Sequence, residues 1–231
     1  MRKRDLDALY RILDWYEHRE GNRIYIGEIS RKTLPAKGWC FFYEKGECRQ
    51  KTSEPRIVRV ESYSEQDEKI SIYNQLLTHR GNIAGVYSGG GNHRRSFLRK
   101  HIGTAIMNKL ARSCTTWEED QVNASTRKTE HWLESLVSEV TGSMEVLVVP
   151  IDNNRDMGRI AKYIEKNAIA LLSNFNKDPV DSPSSDWLGS RCSNPLVRGS
   201  GVWNSNGVMY QYDQHFLEVF KRIVRGSVKS D

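Results

Sequence analysis

The sequence contains no apolar run approaching the ~18 residues needed to cross a bilayer. Its basic start, Met1-Arg2-Lys3-Arg4, leads into a charged amphipathic segment and not into the apolar core of a signal peptide. A cytoplasmic protein without membrane attachment is therefore expected. The four cysteines, Cys40, Cys48, Cys114 and Cys192, form no CxxC pair and have no ligand-spaced histidines beside them. That argues against a zinc site and reads as free thiols in a reducing compartment. There is no internal repeat, no low-complexity tract and no composition break that would mark a domain boundary. The glycine-rich stretch Gly89-Gly90-Gly91 does not match GxxxxGK[ST], so a P-loop nucleotide site is not supported.

What is present is an ordinary globular composition over 231 residues, 38% hydrophobic and 28% charged, long enough to bury a substantial core in one α+β domain. The net charge of +6 and pI near 9.1 favour polyanionic partners, a statement about association and not about fold. Six tryptophans and ten tyrosines accompany the basic residues, but counts alone do not imply stacking on bases.

Periodicity places the elements. Leu6, Leu9, Tyr10, Leu13 and Tyr16 recur at helical spacing over residues 4–19. The aromatic stretch 38–44 and the alternating stretch 56–60 read as strands joined by a long polar connection. Helices are expected at about 68–80, 94–112, from Thr129 to about 141, at 155–172 and around 213–225, with a strand over 144–151. In the helix at 94–112, Leu98, Ile102, Ala105, Ile106 and Leu110 are read as inward, with Arg95, Arg99, Lys100 and Lys109 on the other flank.

Three places could carry chemistry. Glu165 lies beside Ile164 on an otherwise periodic helix, where a carboxylate is paired, binds a metal or sits at an exposed edge. His79 ends a helix next to Arg80, where an imidazolium could meet phosphate or a carboxylate; the plainer reading is a surface histidine. His93, Arg94 and Arg95 open a helix after the glycines, where backbone N–H groups and guanidiniums could hold a phosphate, or where a mobile loop carries solvated charges.

The succession Gly38-Trp39-Cys40-Phe41-Phe42-Tyr43-Glu44 and Arg56-Ile57-Val58-Arg59-Val60 resembles the paired strands of GIY-YIG nucleases. It is followed by Gln75-x-x-x-His79-Arg80-Gly81, by Gly91-Asn92-His93-Arg94-Arg95-Ser96-Phe97 and by the glutamate helix Tyr163 to Asn174. With Asp186-Trp187-Leu188-Gly189 and Trp203-Asn204, the pattern is similar to a bacterial branch of that superfamily, over roughly residues 36–220. The resemblance implies an α+β fold with a small antiparallel β-sheet flanked by helices. A lead-in helix over residues 1–35, a core over 36–176 and a C-terminal extension over 177–231 would make up one domain.

The resemblance also implies a divalent-metal-dependent DNA endonuclease with Mg²⁺ (or Mn²⁺) held by Glu165. His79 would move a proton or hold phosphate, and Asn174 would be the asparagine that trails the glutamate. Arg80, His93, Arg94, Arg95 and Arg99 would contact the DNA backbone. Double-strand cutters with one site per chain often pair, so a homodimer belongs to this reading, although no interface pattern is visible. The chain departs from the family pattern at Cys40 and Arg59, the two motif tyrosine positions, at Gln75, the helix arginine, and at Glu61, the second motif's glycine. Arg59 would then supply the phosphate charge that Gln75 cannot, with Tyr43 or Tyr63 replacing a lost hydroxyl. The same departures imply the alternative, a catalytically degenerate DNA-binding or protein-interaction module. Ile24-Tyr25-Ile26-Gly27 spells the second family motif literally but precedes Gly38, and is read as coincidence.

Overall fold

The aromatic segment after Gly38 becomes the long strand at the heart of a four-stranded antiparallel sheet. The strands are β1 (Ile24–Tyr25), β2 (Gly38–Cys48), β3 (Pro55–Tyr63) and β4 (Glu145–Pro150), in the order β1-β4-β2-β3. The computed structural model describes residues 1–50, 52–64, 71–120, 123–151 and 157–227. The helices are α1 (Arg2–Glu17), α2 (Ile72–Arg80), α3 (Phe97–Leu110), α4 (Ala124–Gly142), α5 (Met157–Leu172), α6 (Pro195–Ser200) and α7 (His215–Ser227). The α+β class and the small flanked sheet are as the sequence implies. Residues 68–70 and 155–156, read as helix starts, lie outside the described residues.

Because side chains alternate along a strand, β2 serves two cores. Trp39, Phe41 and Tyr43 face α1, α5 and α7, packing with Leu9, Leu13, Ile164 and Phe220. Cys40 and Phe42 face α2, α3 and α4, with Leu76, Ile102, Val137 and Trp203. The Trp39 indole bonds the Ala161 carbonyl of α5 at 3.0 Å, so a buried donor is satisfied as it packs. No helix among the described residues is long and apolar enough to cross a membrane.

Caps explain two boundaries that periodicity misplaces. α4 starts at Ala124, earlier than Thr129, because Asn123 accepts the Thr126 N–H at 2.8 Å. α3 starts at Phe97 because Ser96 accepts the Arg99 N–H. On α3 the inward set also needs correction: Leu110 is exposed, while Arg99 is completely buried. The literal Ile24-Tyr25 pair joins β4 at the sheet edge opposite β3, with β4 between it and the hairpin.

The edge strand β3 is closed by the C-terminal extension. Trp203 N–H donates to the Val58 carbonyl at 2.7 Å. The Asn204 amide accepts Val60 N–H at 3.0 Å and donates to Val60 C=O at 2.9 Å, standing in for a missing strand. The extension is thus bonded into the sheet. Asn204→Leu keeps the bulk but strands both Val60 groups; at roughly 1–3 kcal/mol per unmet buried group, urea unfolding should show a loss of about 2–4 kcal/mol. A loss under about 0.5 kcal/mol would mean that the surrogate bonding is unimportant.

Candidate active site

Register on β3 builds the site. Cys40 pairs with Glu61 and Phe42 with Arg59, after which a bulge sets Tyr43 against Ile57. Arg59 and Glu61 therefore share the sheet face that looks toward α2, while Ser62 points toward α5.

On the α2 side, the Glu61 carboxylate is the focus of several donors. Arg59 Nε and Nη2 reach Oε1 at 2.6 and 2.5 Å, and His79 Nε2 lies 3.0 Å from Oε2. The Tyr63 hydroxyl also donates to Oε2. Burial opposes ionisation here, yet Arg59 and then His79 outweigh it and hold the Glu61 carboxyl well below the usual carboxylate range. The third Arg59 nitrogen, Nη1, donates to the Trp203 carbonyl at 2.8 Å. The His79 Nδ1 lies 2.7 Å from Ser96 Oγ, the cap of α3. His79 is thus a buried link between sheet and helix and not a surface histidine.

On the other side of β3, Glu165 projects from α5 to the strand. Its Oε2 accepts the Ser62 hydroxyl at 2.6 Å, and it also bonds the Ser62 backbone. Burial pushes its pKa up, the Ser62 bond offsets this in part, and nearby Glu61 pushes it further up. No ion pair reaches Glu165 among the described residues.

The structure relocates several expected contacts. His93 is buried, stacked on Trp117 at 3.6 Å between ring centroids and bonded to Glu134 at 2.9 Å. Arg99 bonds Glu134, Ser138 and the His79 carbonyl. Arg94 makes a two-pronged pair with Glu130 at 2.8 and 2.7 Å. These three side chains bind the glycine loop to α4, and none presents its charge to a DNA backbone. Asn174 is bonded to Arg2 and to Val180 N–H, past the end of α5, and holds α1 instead of joining the cluster. Cys40 is fully buried, and burial raises its thiol well above its ordinary value, so it is an inert core thiol. Arg59 lies at the site, but all three of its nitrogens are engaged within the chain.

Gln75, Arg80 and Arg95 do meet. They line a groove of about 620 Å³ with Thr78, Asn82 and Asn92, and none of its lining residues is acidic. Neither guanidinium has an ion pair among the described residues, and Arg80 Nε is buried without a hydrogen-bond partner. Along the chain the two arginines adjoin the bonded His79–Ser96 pair, so the groove abuts the cluster.

The family described as "GIY-YIG domain" matches residues 1–230. The chain belongs to the GIY-YIG family. No curated protein and no solved structure matches it. For a GIY-YIG domain the strand pair and the glutamate helix are where the sequence resemblance puts them. Among the described residues no group of three or more His, Cys, Asp or Glu side chains is placed to hold a metal. A single carboxylate supplemented by water and phosphate oxygens nevertheless suits Mg²⁺, and Glu165, in no ion pair among the described residues, fits that role.

Sequence reading missed Ser62 and His101, and it placed Asn204 in a motif without a role. His101 is buried on α3, 3.3 Å from Ser205 Oγ, and its pKa falls to about 4 through burial and then the positive charge of Arg59 and Lys100. Nothing in its spacing distinguished it from its helix neighbours. Its folded value lies below that of a free imidazole, so between pH 6.5 and 4 the unfolded chain takes up a proton that the folded chain declines. Stability should therefore be lost as pH falls from 6.5 to 4, and more steeply in the wild type than in His101→Asn when thermal midpoints are compared. Equal slopes would remove this account of His101.

Proposed function

We propose that this chain is a divalent-metal-dependent DNA endonuclease, with Glu165 as its cation-holding carboxylate. The observation that carries the reading is the position of Glu165: oriented by Ser62 at the rim of the second motif strand, in no ion pair among the described residues, and near enough to Glu61 for that carboxylate to push its pKa up. Mg²⁺ or Mn²⁺ at such a carboxylate would offset the charge that builds on phosphoryl oxygens during hydrolysis. The chain's own residues do the rest. Ser62 fixes the carboxylate, and Arg80 and Arg95 offer guanidiniums to the phosphates of a bound strand in a groove free of acidic residues.

A specific observation also supports a second reading, DNA binding without cleavage. Arg59, His79 and Tyr63, which could hold a phosphate or move a proton, are all bonded to Glu61. In the first reading they must be released.

Supercoiled plasmid with Mg²⁺ should be nicked or linearised, and Glu165→Ala should abolish this while leaving DNA affinity within about threefold. The same substitution should weaken Mn²⁺ binding followed by electron paramagnetic resonance, a readout independent of turnover. Cleavage that persists in Glu165→Ala would sink the mechanism, and salt-sensitive binding with no cleavage in either metal would select the second reading.

Arg80→Ala and Arg95→Ala should each lower the slope of log K against log salt concentration by about 1. Arg94→Ala should leave that slope unchanged, because its charge already faces Glu130. Unchanged slopes in the first two variants would remove the groove from the DNA interface.

A further inference from the structure

The hydrogen bonding around Glu61 is that of an occupied anion site. Its two oxygens receive Arg59 side-on, the His79 imidazole and the Tyr63 hydroxyl. Arg59 and Tyr63 lie two positions either side of Glu61 on β3, and His79 arrives from α2. Folding gives little reason for such a set, because a buried ion cluster is on balance no more stabilising than apolar residues of similar volume. A planar guanidinium, an imidazole N–H and a phenol O–H are equally the donors that grip a phosphoryl oxygen. The surroundings also suit an anion. On one side lies the Arg80–Arg95 groove, joined through the His79–Ser96 bond; on the other, across β3, is Glu165, which accepts the Ser62 hydroxyl and forms no ion pair among the described residues. A strand whose phosphates follow the groove toward Glu165 would bring one phosphate to the place where Glu61 sits.

We propose that Arg59, His79 and Tyr63 form a seat for a phosphoryl group, filled in the free protein by the Glu61 carboxylate as an internal phosphate mimic. A phosphodiester carries one negative charge, as the carboxylate does, so exchange leaves the charge of the cluster unchanged. The side chain has only to swing from the seat toward the rim of the strand. The seat itself is independent of cleavage; only the naming of its ligand as a DNA phosphate rests on the nuclease reading. The two readings of function then become two outcomes of one contest, between a ligand phosphate that displaces Glu61 and one that does not.

The test uses the full chain, Glu61→Ala and inorganic phosphate as the probe, without DNA or metal. The thermal midpoint of the variant should rise in phosphate relative to chloride at equal ionic strength, by about 3–6 °C at a tenfold excess over Kd. The wild type, its seat filled, should rise less, showing only what phosphate gives the folded chain generally and at the Arg80–Arg95 groove. Glu61→Ala combined with Arg59→Ala should lose the excess over the wild type, which separates the seat from the Arg80–Arg95 groove. If Glu61→Ala does not fold in chloride, phosphate must restore folding. A variant indifferent to phosphate, one that stays unfolded in both salts, or a wild type that responds equally would overturn the proposal. Plasmid that stays uncut while Glu61→Ala binds phosphate would count against the nuclease reading alone.

Discussion

The outer edge of β3 must be covered. It is the last strand of the sheet, and the outward-facing peptide groups of Val58, Val60 and Ser62 have no strand beyond them. Each such group left dry and unmet costs roughly 1–3 kcal/mol, against a total stability of about 5–15 kcal/mol for a domain. The chain answers with Trp203 N–H on Val58, the Asn204 amide on Val60 and the Glu165 carboxylate at Ser62. The extension is therefore part of the sheet's own bonding, and the Glu165 carboxylate is held to the same edge by the Ser62 hydroxyl and peptide. Glu44 strengthens the clasp by accepting both the Trp187 and the Trp203 indole N–H groups, at 3.1 and 2.9 Å.

Charge follows a different logic from the one that net charge suggests. Much of the arginine complement faces inward. Arg49 meets Asp7 and Asp181, Arg56 meets Glu47, Arg94 meets Glu130, and Arg99 meets Glu134. In each pair the planar guanidinium satisfies several acceptors at once, which a lysine could not do as well. Among the cations that remain, Arg80 and Arg95 stand together on a groove with no acid in its walls. An excess of +6 indicates attraction to polyanions, while the ion pairs decide where it can act.

Two carboxylates on neighbouring elements illustrate how environment divides roles. Glu61, surrounded by donors, is held ionised and stabilises the cluster. Glu165, half-buried with a hydroxyl and a peptide for company and a carboxylate nearby, is pushed toward its neutral form. A cation would be welcome at the second and redundant at the first, so the structure distinguishes residues that composition treats as identical.

Local choices were legible along the chain: strand where aromatic and β-branched residues alternate in Trp39–Phe42 and Ile57–Val60, helix where Ile164, Ala168 and Leu171 recur, and the order of motifs that places the chain in its family. These depend on neighbours a few residues apart. Only the tertiary structure decided what distant side chains do. That Arg99 and His93 would be buried against Glu134, that Asn174 would hold α1, and that Asn204 would serve the edge of β3 depends on contacts tens to more than a hundred residues apart. A glycine-to-glutamate departure at position 61 is visible in the sequence. Its consequence is not, because an anion acquires meaning from the donors that fold around it.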